Sequence, residues 1–485
     1  MSILSALEPR EVWTHFEAIC QVPRPSKKEG KIIDFLLQFA ADNGLEAQKD
    51  HIGNVLIKKA ATPGKENVKP VVLQSHIDMV CEKNSDKKHD FDNDPITPVI
   101  DGDWVKADGT TLGADDGIGM AAQMALLVAT DIEHGPIECL FTVDEETGLT
   151  GAFELKEGFF ESKILLNLDS EDDGELFIGC AGGVDTIAKF PFKKESAPDK
   201  GFAFKVTVSG LKGGHSGDDI HKGLGNANKI LNRFLWEASK KYDLSLSMID
   251  GGNLRNAIAR EASAIAVVPN SNKEQVRVAF NMLFHDVQVE LKVTEPELRM
   301  KLESVDLPDF VMDSDSQKNL LNALYACPHG VIEMSRDIEG LVETSTNLAS
   351  IKMNNDHILV TTSQRSSVES AREDIAQMVK SVFDLAGAEA YHTDGYPGWA
   401  PNTDSEILKI TRDSYKRLFD TDPVVRAIHA GLECGLFLEK YPGMDMISFG
   451  PTIKGAHSPD ERIEINTVQK FWKHLIDVLN NVPEV

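Results

Sequence analysis

The sequence has no run of about 18 apolar residues, no Cys-x-x-Cys pair and no surplus of positive charge. The first absence removes any candidate for a membrane-spanning helix. The six cysteines (Cys20, Cys81, Cys139, Cys180, Cys327, Cys434) are scattered, which argues against a thiolate zinc site and suits small apolar residues in a reducing compartment. Lys plus Arg total 50 against 77 Asp plus Glu, a net charge of -27. That field repels phosphate backbones and anionic lipid, so neither nucleic acid nor a membrane surface is expected as a partner. There is no phosphate-loop glycine pattern either. The opening stretch MSILSALEPREVWTHF has no basic segment followed by an apolar one, so no signal peptide is read and the expected location is cytoplasmic.

What is present is ordinary globular material, 41% hydrophobic and 26% charged over 485 residues. That length calls for two or three domains. In the first 184 residues short apolar strands (NVLIKKA, PVVLQSH, IECLFTVD, KILLNLD) alternate with helical spacing in HFEAIC, KIIDFLLQFAADNG and DGIGMAAQMALLVAT. Such alternation predicts a mixed, mainly parallel sheet with helices on both faces. Over 185–395 the texture changes. FAFKVTVSGL, SAIAVVPN, VQVELKV and HILVTTSQ alternate as half-exposed strands do, between helical stretches. This predicts an inserted α+β domain, an antiparallel sheet with helices on one face. NLRNAIAREASAIAVVPNSNKEQV and NLASIKMNNDHILVTTSQRSSVES both read as strand, turn, strand, loop, helix, a faint echo that raises two similar subdomains. From 396 onward the first style returns, so the α/β catalytic domain is read as two sequence-distant parts.

Five strand ends or the loops after them carry ligand-type residues: His76 and Asp78 in HIDMV, Asp115 and Asp116 in GADDGIG, Glu145 and Glu146 in VDEETG, Asp169 in NLDSED, and His457 in GAHSPDE. Ligands of open α/β sheets bind beyond the carboxyl ends of strands. Several carboxylates placed together are costly unless cations neutralise them. Two imidazoles with three or more carboxylates suit zinc, or manganese or cobalt. Five such ligands exceed a single catalytic zinc but make two metals when one carboxylate bridges. His-x-Asp then has a function: one ring nitrogen of His76 binds metal while Asp78 accepts the other N–H. Of the paired glutamates, one can ligate while the other takes a proton from attacking water.

Each element has a plainer reading. Asp-Asp-Gly before a helix is usually a cap and turn, Glu-Glu in a loop is usually solvated, and His457 sits where a surface histidine would. Those readings require five coincidences at one sheet edge.

HIDMV, GADDGIG, VDEETG, NLDSED and GAHSPDE, in this order, resemble the co-catalytic zinc peptidases, the family of carnosinases, glutamate carboxypeptidases and aminoacylases. QVPRPSKKE, ADGTTLGADDGIGMA, FTVDEETGLTGA, LDSEDDGELFIGCAGG, GLKGGHSGDDIHKGLGNANK and HAGLECGLF look like its aminoacyl-histidine dipeptidase branch. The resemblance implies Asp115 as bridging carboxylate, His76 and Asp169 on one zinc, Glu146 and His457 on the other, Glu145 as general base and Asp78 orienting His76. It implies that the insert is a lid. His215 in GGHSG would stabilise the oxyanion, and Asn256 in GGNLRNAI would contact substrate. Arg365 in TTSQRSS is a candidate clamp for the substrate carboxylate, beside the plainer reading of an arginine exposed on an edge strand. His429 and Glu433 of HAGLECG receive no role.

The expected protein is a metallo-dipeptidase with two Zn²⁺ per chain, for which Mn²⁺ or Co²⁺ can substitute. It hydrolyses unblocked Xaa-His dipeptides by a zinc-bound hydroxide and pairs into a homodimer through the lid, with His215 acting in cis or in trans. An amidohydrolase that removes acyl groups from amino acids is the alternative on the same ligands. A binding protein that kept the fold and lost the chemistry should lack a ligand or Glu145, and all are present.

Overall fold

The valine- and leucine-rich segments Val71–His76, Ile137–Thr142 and Ile164–Asn167 are buried at every position, as strands covered on both faces are. They form the centre of an eight-stranded sheet in the computed structural model, which describes residues 3–485. The sheet order is Glu46–Lys49, Val55–Lys59, Ile137–Thr142, Val71–His76, Ile164–Asn167, Asp445–Ser448, Glu175–Cys180 and Val424–Ile428. Parallel pairing joins the four strands from Ile137–Thr142 to Asp445–Ser448. Antiparallel strands flank them, Val55–Lys59 on one side and Glu175–Cys180 on the other. Register decides where the chemistry sits. His76 pairs with Thr142, Gln74 with Asn167, and Asn167 with Ser448, so the carboxyl ends of all four strands reach one edge. The fold is the mixed α/β class that the alternating pattern predicts.

The chain separates into two compact units. One holds the chain as far as Gly179, Pro401–Ala427 and Leu432–Val485. Its helices include Gly30–Asp42, Ala114–Val128 and Ile465–Asn480. After the first of these helices, Gly44 takes a left-handed φ of 65°, the C-terminal stop of helix Gly30–Asp42 that glycine supplies at least cost. Among the described residues no helix is long and apolar enough to cross a membrane.

The other unit is Cys180–Ala400 with Ile428–Gly431. The 185–395 segment falls inside it. Its sheet has nine strands with all recorded pairs antiparallel, and helices Ala227–Lys241, Lys273–Leu291, Ser314–Ala326 and Glu369–Leu385 bury Leu231, Phe234, Phe280, Leu320 and Phe383 with the strand residues Phe204 and Val206. Of the two segments that echo each other, the second lies on strands Val342–Met353 and His357–Ser366 and the start of helix Glu369–Leu385, whereas the first has one strand, Ala262–Pro269, before helix Lys273–Leu291, because residues 253–261 form a loop. One segment differs from expectation. VQVELKV is not a strand: its first five residues end helix Lys273–Leu291. Val276, Phe280, Leu283 and Val287 form that helix's buried stripe, whereas Val289 and Val293 are exposed, so alternating valines mimic a strand period.

Candidate active site

His76 ends its strand with only 1% of its side chain exposed. Its Nε2 lies 3.1 Å from Asp115 Oδ1 and 3.5 Å from Asp169 Oδ1, and its Nδ1 lies 3.3 Å from Asp78 Oδ1. The other oxygen of Asp115, Oδ2, lies 3.2 Å from His457 Nε2, which is in turn 3.0 Å from Glu146 Oε2. One carboxylate thus stands between two imidazoles, one oxygen toward each. Two donor groups share it, His76–Asp115–Asp169 and Asp115–Glu146–His457, and a third, His76–Glu145–Glu146, overlaps them; in each the ligand atoms lie within 4.8 Å of one another.

Local structure explains these placements. Glycine opens helix Ala114–Val128 at Gly113, where φ is +69°. Asp116 behaves as the plainer reading of Asp-Asp-Gly has it, since its Oδ1 accepts the Gly119 N–H at 3.1 Å. Asp115 is turned to the imidazoles instead. Asp144, at φ +50°, reverses the chain after strand Ile137–Thr142. The glutamate pair that follows is fixed by Asp78, which accepts the N–H of Glu145 at 3.0 Å and of Glu146 at 3.3 Å. His457 holds a left-handed φ of +62° in its loop, a conformation uncommon outside glycine.

Burial makes the carboxylates resist ionisation. It pushes Asp169 up to about 7, with the Asp115 charge adding to it. It also raises Glu145 well above the usual carboxylate range, helped by Asp169, Glu146 and Glu433. Asp115 is held well below that range: burial opposes this, and the hydrogen bonds of His457 and His76 overcome it. Bonds to Asp115 and Glu146 lift His457 to about 11. Burial disfavours protonated His76, yet Asp169, Asp115 and Asp78 raise its pKa well above 6.5. The donor set fits a pair of divalent cations: it is mixed N/O, crowded with negative charge, and includes Glu146 Oε1, a buried atom with no hydrogen-bond partner. A further acidic group, Glu29–Asp78–Asp144, is explained by its own bonds. Glu29 accepts the N–H of Lys27 and Asp144, and Asp144 accepts the hydroxyls of Thr147 and Thr150.

Glu433, which the sequence left without a role, is 1% exposed and accepts from Gln74 Nε2 at 2.6 Å and Thr142 Oγ1 at 2.9 Å. Burial pushes it up to about 8. Its partners lie on two different strands, so no local motif announces it.

In the second unit, His215 and Asn256 line one open cavity of about 880 Å³ together with Lys205, Asp250 and Arg260. The Ser216 N–H donates to Asn256 O at 2.8 Å, tying the two loops. His215 Nδ1 lies 3.2 Å from the Asp218 backbone nitrogen and 3.3 Å from Asp218 Oδ2. Arg365 is not among the residues lining that cavity. It is also not the exposed edge arginine of the plainer reading: it is 7% exposed, on an interior strand, and donates to Tyr396 Oη at 2.8 Å. Across the ladder from it, Ser345 bonds His429 Nε2 at 2.7 Å. Burial, then the Arg365 charge, lowers His429 to about 3.

Residues 72–481 match Peptidase family M20/M25/M40, and the chain belongs to that family; it is a peptidase. Cytosol non-specific dipeptidase of Escherichia coli (strain K12) is 44% identical over 483 residues, 100% of both chains. The crystal structure of aminoacylhistidine dipeptidase from Vibrio alginolyticus superposes with a TM-score of 0.92 at 47% identity, over 100% of this chain and 99% of that one. Aminopeptidase PepT from Bacillus cereus shares the fold, with a TM-score of 0.57 at 16% identity over 98% and 99% of the two chains.

Proposed function

We propose that the chain is a dinuclear metallodipeptidase that releases histidine from the C-terminus of unblocked Xaa-His dipeptides. The observation that carries this is the Asp115 carboxylate, whose two oxygens face His76 and His457 separately. His76 and Asp169 would hold one ion with Asp115, and Glu146 and His457 the other. Zinc suits the donors, and Mn²⁺ or Co²⁺ can substitute. When bound, such a pair polarises the scissile carbonyl and makes water a stronger acid. Glu145 takes the proton from water as it adds to that carbonyl and returns it to the departing amine nitrogen. Burial raises its pKa above the usual carboxylate range, which favours uptake of that proton. Asp78 keeps the His76 ring in one tautomer and orientation.

Substrate contacts are assigned to the second unit. His215 would donate to the oxyanion, Asn256 would contact the peptide, and Arg365 would hold the terminal carboxylate. The Escherichia coli relative, a non-specific dipeptidase, supports the dipeptide reading, and the Vibrio aminoacylhistidine dipeptidase supports the histidine reading. The former's name supports a cytosolic place. An exposed apolar stripe on helix Lys273–Leu291 and just beyond it (Val278, Met282, Val289, Val293) supports pairing with a second copy through this unit.

The deciding experiment compares hydrolysis of alanyl-histidine with that of N-acetyl-histidine, before chelation, after it, and after zinc return. Zinc-restored cleavage of the dipeptide alone is expected. Cleavage of the acetylated compound instead would make the protein a deacylase, and no zinc-dependent cleavage of either would sink the histidine assignment.

A further inference from the structure

Asp115 can serve two partners only if the turn that carries it is held still, and Leu112–Asp115 is gripped from both sides. Glu461 takes its amides: Oε2 accepts the N–H of Leu112 at 2.7 Å and of Gly113 at 2.9 Å, and Oε1 accepts that of Ala114 at 2.7 Å and of Asp115 at 3.3 Å. Arg24 takes the carbonyl side. Its Nη2 donates to Gly113 O, and its Nη1 donates to Ile77 O at 3.1 Å and Asp78 O at 2.7 Å. Arg24 is 3% and Glu461 2% exposed.

The connections have a pattern. Arg24 ties the segment after His76 to the turn that bears Asp115. Glu461 ties that same turn to the loop that bears His457. Each charged residue therefore links the histidine of one donor group to the carboxylate that both groups share. The glycines of GADDGIG make room for this. A Cβ on Gly113 would lie 2.5 Å from Arg24 Nη2, and one on Gly117 would lie 2.7 Å from it. Burying a guanidinium and a carboxylate is a poor route to stability compared with apolar filling, so their value lies in fixing backbone.

We propose that Arg24 and Glu461 are positioning residues that set the Asp115 carboxylate between His76 and His457, so that each tunes how firmly a divalent cation is held. This rests on the dinuclear reading above and goes beyond its ligands.

The test is equilibrium zinc competition against a fluorescent chelator, run on the full chain alongside melting of the zinc-free protein. Glu461→Gln keeps the shape but turns one acceptor oxygen into an NH₂ facing amide donors. Arg24→Lys keeps the charge but cannot span three carbonyls. Both should weaken zinc roughly tenfold or more, the cost typical of residues supporting metal ligands. The matched control is Glu138→Gln. Glu138 is also a buried carboxylate, accepting the N–H of Glu161 at 3.0 Å and of Ser162 at 2.9 Å, but at the opposite end of its strand from Glu145. It should alter melting and leave zinc affinity unchanged. Wild-type zinc affinity in both folded variants would overturn the proposal, as would an equal loss in the control. If neither variant folds while the control does, the pair serves the fold and the proposal fails. If the unmodified chain binds no zinc, the dinuclear reading falls and this one with it.

Discussion

Oδ1 of Asp78 lies 3.3 Å from His76 Nδ1 and accepts the Glu145 N–H at 3.0 Å. One buried oxygen thus lies beside a proposed ligand and anchors the backbone of the proposed base. Asp78→Asn places an amide nitrogen among donors or removes the charge that favours His76 N–H. Turnover of alanyl-histidine should fall about 10–100-fold, with zinc still bound. A kcat equal to that of the unmodified enzyme would show that this oxygen is dispensable.

The adjacent glutamates should separate cleanly. Glu145→Gln is expected to lower kcat by about 10²–10⁴ while both zinc ions stay bound. Glu146→Gln should lose zinc first. Metal analysis after dialysis, paired with steady-state rates, tells them apart, and identical behaviour would refute the assignment of roles.

Gly217 in GGHSG has a steric reason. A Cβ there would come within 2.0 Å of His429 O and 3.2 Å of His215 Cε1. Gly217→Ala must therefore shift the His215 loop, costing roughly 1–3 kcal/mol as overpacking does. Thermal melting should record the loss, and kcat should drop with zinc content intact.

For Arg365, the substrate supplies the control. Alanyl-histidine with its carboxylate amidated should be a poor substrate of the unmodified enzyme. In Arg365→Lys the KM for the free acid should rise and the gap between the two substrates should shrink. An unchanged gap would remove Arg365 from carboxylate recognition.

Acid should weaken the first unit through His474. This residue is 3% exposed, and its Nε2 donates to Thr411 O at 2.8 Å. Burial lowers its pKa from 6.5 to about 4. Between those values the unfolded chain binds a proton that the folded chain refuses, so stability rises with pH and is lost as pH falls from 6.5 toward 4. The effect of that shift is roughly 3 kcal/mol. His474→Gln, which takes up no proton, should show a shallower fall in melting temperature across that window.

Much of this was legible because parallel strands bring their carboxyl ends together, so HIDMV, VDEETG and NLDSED announce one place from separate positions. Glu433, Arg24 and Glu461 were not legible. Their partners are Gln74 and Thr142, or backbone groups of remote loops, and no short spacing encodes such contacts. The VQVELKV segment misled for another reason: Val289 sits on the exposed side of a helix and Val293 just past its end, where apolar residues break the usual pattern. Arg365 shows the limit of local reading from the other direction, since strand position decides between an edge and the interior, and sequence alone does not give strand order.

The strand Asp445–Ser448 lies between Ile164–Asn167 and Glu175–Cys180 in the sheet. During synthesis the ribosome therefore releases about 265 residues (Cys180 to Asp445) before the strand that fills this slot exists. Until then Ile164–Asn167 has an open edge, a template for pairing with other chains. His457 emerges later still. A nascent chain thus cannot assemble both halves of the donor set, and cannot begin cutting dipeptides, before its final segment has been threaded into the middle of a sheet begun long before.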